Sequence, residues 1–108
     1  MTNNSDRNSK YISPQVQRVL KVIELMAGHE VEGVESGKLA AELECLASDM
    51  TRVLTNLEQA GWAERLSTNQ NRWRLHKKPV QISNTVAHSF TTALSALQIE
   101  RNNYGLIR

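Results

Sequence analysis

Residues 48–60, SDMTRVLTNLEQA, decide how the rest of the chain is read. Met50, Val53, Leu54 and Leu57 recur at helical spacing and give one apolar face, while Thr51, Arg52, Thr55, Asn56 and Gln59 fall on the other. A helix side made only to meet water is usually laced with Glu and Lys. This one carries short hydrogen-bonding groups and a single guanidinium, side chains suited to base edges in a major groove. The alternative is an ordinary solvated face, and the flanking elements weigh between the two.

Upstream, Ser13-Pro14 reads as a helix start, with a capping hydroxyl and a proline where no amide hydrogen is needed. The helix is expected to run to about Gly28, with Val16, Val19, Leu20, Ile23, Met26 and Ala27 as its core stripe and Gln17, Arg18, Lys21 and Glu24 wet. Residues 29–35, HEVEGVE, suggest a loop with a short strand. Their carboxylates beside His29 match no metal-ligand spacing. Ser36 is expected to cap a second helix over residues 37–44, with Leu39, Ala40 and Leu43 inward and small alanines permitting a close helix crossing. Residues 44–47 form the turn, and Ala47 or Ser48 opens the next helix. Asp49, in its first turn, suits the positive end of the helix dipole, and near DNA it either reads a cytosine amino group or stays clear of the phosphates.

Gly61 ends that helix, and the period then changes. Residues 62–66 and 72–75 have strand character and are joined by the polar stretch STNQN, which predicts a hairpin. Trp73 and Leu75 alternate with Arg72 and Arg74, so one face is expected to pack and the other to present guanidinium groups. Such a hairpin forms a wing. Its tip can lie along a minor groove, with Arg65, Arg72, Arg74 and Lys77 as the candidate phosphate contacts.

The order of elements over residues 15–75 resembles the N-terminal winged helix-turn-helix domain of IclR-type bacterial transcriptional regulators. The resemblance rests on Leu39-Ala40, Ser48, Arg52-Val53-Leu54, Leu57-Glu58 and Gly61-Trp62. MarR-like winged helices share much of it. The turn CLAS lacks the proline often found there in IclR-type domains, and no effector domain follows the wing, so no small-molecule sensor is implied. Carried over position by position, the resemblance assigns DNA contacts to Ser48, Asp49, Thr51, Arg52 and Thr55, with Asn56 beside them.

Residues 76–79, HKKP, read as a basic hinge, after which Ser83 or Asn84 caps a last helix to about Arg101. Val86, Phe90, Leu94 and Leu97 make its stripe, which either folds back on the domain or pairs with a second copy. The expected organisation is thus a disordered arm at 1–12, in which Arg7 and Lys10 can track phosphates, a winged domain at 13–78, and a linker with a dimerisation helix at 79–108. The fold class is mainly α with a small β-hairpin: a three-helix core, a wing and an additional C-terminal helix.

Charge qualifies the DNA reading. The chain carries a net +2 in 108 residues, unevenly spread. In residues 1–21 four basic residues face Asp6, in 22–64 Lys38 and Arg52 face nine acids, and in 65–108 seven basic residues face Glu100. Phosphate affinity must therefore come from the ends and from Arg52. The acidic middle supports a competing expectation, a winged-helix adaptor docking on a protein. No glycine-rich phosphate loop, metal-ligand spacing or nucleophile with a base is present, so neither an enzyme nor a cofactor is expected. The single Cys45 and the polar start, without an apolar segment, fit a cytoplasmic protein.

Overall fold

A computed structural model describes residues 9–105; the expectations for residues 1–8, Arg7 among them, lie outside it. After a single 3₁₀ turn, Ser9–Tyr11, the order is α1 (Pro14–Met26), β1 (Val34–Glu35), α2 (Ser36–Glu42), α3 (Ala47–Gln59), β2 (Ala63–Arg65), β3 (Arg72–Leu75) and α4 (Lys77–Gly105). This is a winged helix with a further helix after the wing. The chain divides into two compact units, one ending at His76 and the other beginning at Lys77.

In the first unit α1 starts as its sequence predicts, with the Ser13 hydroxyl accepting the Val16 amide at 3.2 Å and Pro14 in the first helical position. Its buried side differs from expectation. Val22 and Met26 are fully buried and Val19, Ile23 and Leu25 pack against the core, while Val16 and Leu20 are about half exposed and Ala27 is exposed. The physical reason is that apolar residues occupy more than half of the turn, and the rest of the core, with β3 against this helix, covers only the arc around Val22 and Met26.

One expected cap is also corrected. Ser36 is the first residue of α2 rather than its cap, since Glu35 occupies the capping position with extended backbone and no side-chain bond. Helix α3 opens at Ala47, one of the two expected starts, with Leu46 before it making no side-chain bond and Ser48 inside the first turn. The intervening turn is held by backbone bonds, Cys45 to the Ala40 carbonyl at 3.0 Å and Glu44 to Ala41 at 3.2 Å, with Glu44 in left-handed backbone. Helix α3 buries Met50, Val53, Leu54 and Leu57, the face expected of it. It closes at Gly61, whose φ of 83° lets the Trp62 amide reach the Leu57 carbonyl at 2.8 Å and its own amide reach Glu58 at 3.0 Å.

The expected hairpin is part of a three-stranded antiparallel sheet of order β1-β3-β2. Trp73 lies opposite both Val34 and Arg65, and its ring is buried in the core with Leu39, Met50, Leu54 and Ala63. Gly33 makes the approach to β1 possible. Its φ is +73°, and a Cβ there would lie 2.9 Å from Leu66 Cδ1 and 3.0 Å from Arg72 Cβ.

The second unit is the 29-residue helix α4, beginning at Lys77 rather than at Ser83 or Asn84. Pro79 does not break it, because as the third helical residue it has no intrahelical amide bond to lose. No residue of α4 is buried. No helix among the described residues is long and apolar enough to cross a membrane.

Candidate nucleic-acid interface

The outward side of α3 bears Ser48, Thr51, Arg52, Thr55, Asn56 and Gln59, all exposed, with Asp49 half-buried at its edge. Ser48, Arg52, Thr55 and Gln59 follow one another at steps of four, three and four and form a continuous ridge. Two flanking side chains are partly committed. The Thr51 hydroxyl donates to the Ala47 carbonyl at 3.0 Å, and the Asn56 amide donates to the Arg52 carbonyl at 2.8 Å. Thr51 still offers its oxygen as an acceptor, and Asn56 its amide oxygen and a second N–H. Arg52, two-thirds exposed, has Nη1 3.6 Å from Asp49 Oδ1.

A cleft lies on each side of the ridge. Toward α1, a space of about 300 Å³ is lined by Gln15, Val16, Arg18 and Val19 and by Asp49, Arg52, Val53 and Asn56. Toward the wing, one of about 390 Å³ is lined by Glu35, Ser36, Gly37, Thr51, Arg65 and Asn71. Arg65 lies over the Trp73 ring, 4.5 Å from its centroid, and donates to the Gln70 carbonyl at 2.8 Å. This stacking holds the guanidinium flat against the wing, with part of its donor fork still open to the cleft.

The other two wing arginines are engaged within the domain. Arg72 donates through Nε to the Glu32 carbonyl at 2.6 Å and through Nη2 to the Gly33 carbonyl at 3.1 Å, with Nη1 3.4 Å from the Glu35 carboxylate. Arg74 donates to Glu64 Oε2 at 2.8 Å and to the Glu30 carbonyl at 3.4 Å, and His76 Nδ1 lies 3.2 Å from the same carboxylate. The sheet therefore draws the acidic stretch 30–35 onto the arginine face of β3. Lys77, the remaining sequence candidate, is the first residue of α4 and belongs to the second unit.

Of the cations on α1 and α2, which the sequence reading left as scaffold, one borders this site. Arg18, Lys21 and Lys38 form no ion pair among the described residues, and Arg18 lines the α1 cleft with Arg52. The signal was present in the two cations on the wet side of α1. Over residues 9–76 eight Lys and Arg stand against nine Asp and Glu, so attraction to a polyanion depends on placement rather than on total charge. In the loop after α1, the His29 imidazole contacts Glu32 at 2.7 Å, and this hydrogen bond holds the Glu32 carboxyl below the usual carboxylate range. Among the described residues, no group of His, Cys, Asp and Glu is arranged to hold a metal ion.

No protein-family model matches the chain, and no curated protein matches it. A solved structure, that of a mutant of Lactococcus lactis ZitR, is similar at 20% identity with a TM-score of 0.43, over 84% of this chain and 60% of that one. The chain thus spans about 60% of the length of that structure, and the likeness is too distant to carry an assignment of function.

Proposed function

We propose that this domain binds double-stranded DNA sequence-specifically as a small transcriptional regulator, with α3 in the major groove and the wing on the adjacent minor groove or backbone. The reading rests above all on the exposed ridge Ser48–Arg52–Thr55–Gln59, a polar edge projecting from a packed helix and bordered by clefts that contain Arg18 and Arg65. The IclR-type resemblance over residues 15–75 supports it. In this reading Arg52, Ser48 and Thr55 meet base edges, and Thr51, Asn56 and Asp49 flank them. Phosphate contacts fall to Arg65, Arg18 and Lys38, while Arg72 and Arg74 hold the wing together.

A second copy is part of the proposal. Val86, Phe90, Leu94 and Leu97 follow helical spacing on α4 and are each at least half exposed. The hydroxyls of Thr85, Ser89 and Thr91 donate to carbonyls of their own helix, which lowers the cost of covering them. Pairing of two such helices would present two reading edges to a palindromic site.

The test is selection of bound duplexes from a random pool, followed by anisotropy titrations over a range of salt. A consensus sequence, and a log–log salt slope of about −0.9 per phosphate contacted, is the expected result. The capture of Arg72 and Arg74 by carboxylates favours a second reading, a protein-docking winged helix. Failure to enrich any sequence, together with a protein partner whose binding is nearly indifferent to salt, would establish that one instead.

A further inference from the structure

We infer that Asp49 is a positioning residue for Arg52, fixing which edge of the guanidinium faces the groove and so making guanine the base that α3 reads at that step. This rests on the DNA-binding reading above. Asp49 and Arg52 lie one turn apart on α3 and line the same cleft, with Oδ1 3.6 Å from Nη1. Asp49 is the more enclosed partner, at 29% side-chain exposure against 67% for Arg52. The carboxylate is thus the fixed element and the guanidinium the movable one. With Nη1 turned toward Asp49, the Nε–Nη2 edge remains, a two-donor fork matching guanine O6 and N7.

An acid beside a DNA groove repels phosphates, and this repulsion makes the role testable. Replacing Asp49 by Asn removes one negative charge, so affinity for random duplex rises. The same change frees the guanidinium, so discrimination at the Arg52-contacted base pair falls. A side chain that merely stabilised the first turn of α3 through the helix dipole would not move these two quantities in opposite directions.

The experiment measures anisotropy of the full chain on the selected duplex, on variants carrying each alternative base pair, and on random duplex. Unaltered protein is expected to prefer one guanine by roughly 5- to 100-fold, the range of a bidentate contact. R52A abolishes that preference. D49N reduces it at least threefold while tightening random binding, D49E restores it, and D49N adds nothing in the R52A background. Thermal melts of each variant confirm folding. Unchanged discrimination in D49N overturns the inference, as does a loss at a base pair other than the one R52A affects, which would make Asp49 a base reader. Absence of duplex binding by the unaltered protein would sink the groove reading and this inference together, whereas selective binding with an indifferent Asp49 sinks only the inference.

Discussion

Replacing Gly33 by Ala tests whether the loop before β1 is as tightly seated as the sheet geometry implies. Two costs combine there. Left-handed backbone costs a residue with a Cβ about 1–2 kcal/mol, partly offset by the smaller entropy of the unfolded chain. The new methyl would also meet Leu66 Cδ1 at 2.9 Å and Arg72 Cβ at 3.0 Å, and neither yields easily, since Leu66 is buried and the Arg72 Cβ is fixed by the β3 backbone. Crowding of this kind costs a further 1–3 kcal/mol or so. The net loss is about 2–4 kcal/mol, a fall in Tm of about 10–25 °C for a domain of this size. Gly28 supplies the internal control, because its φ is +94° and a Cβ there has nothing within 4 Å. Gly28→Ala should therefore show the backbone cost alone, about 1 kcal/mol. Circular-dichroism melts of the two variants separate the terms. Equal losses would refute the close approach of Gly33 to Leu66 and Arg72, and two unchanged melting temperatures would refute the left-handed requirement as well.

Arg72→Ala should lower stability by about 1–3 kcal/mol, because it leaves the Glu32 and Gly33 carbonyls without their charged donor, and at matched folded fraction it should leave the salt slope of DNA binding unchanged. Arg65→Ala should cost less stability, about 0.5–1 kcal/mol for the lost stacking on Trp73, while reducing that slope by about one. Because the Glu32 carboxyl is held low by His29, its contribution is present above the ordinary carboxylate range and lost as pH falls through the lowered value; a side-chain carboxyl NMR titration should show the low midpoint and its return toward normal in His29→Ala. If α4 pairs two copies as proposed, Leu94→Asp should lower the sedimentation coefficient to that of a monomer without changing the melt of the winged unit, and an unchanged sedimentation coefficient would refute pairing through α4.

Helix α3 was fully legible in the sequence because a helix with four apolar residues on one narrow arc has one way to turn. Helix α1 was not, since Val16, Leu20 and Val22 belong to overlapping arcs, and which arc is buried depends on where α3 and the sheet lie. The roles of Arg72 and Arg74 were illegible for a related reason. The partners of Arg72 at Glu32 and Glu35 stand 40 and 37 residues away, brought near by the pairing of β1 with β3, and Glu64, the partner of Arg74, is set opposite it by the register of β2 on β3. The extension of α4 back to Lys77 was not legible because HKKP reads as a basic hinge with no apolar periodicity, although a proline in a first turn forfeits no bond. Of the proposed site, the sequence supplied the ridge on α3, while the place of Arg18 in the cleft beside Arg52 depends on how α1 lies against α3.

The sheet has borders of only two residues on one side and three on the other, and the three-residue border carries Glu64 and Arg65. So short and charged a margin gives a stray strand from another molecule almost nothing to zip onto. Concentrated solutions of the winged unit should accordingly resist fibril growth, and any self-association of the whole chain should be helical in character.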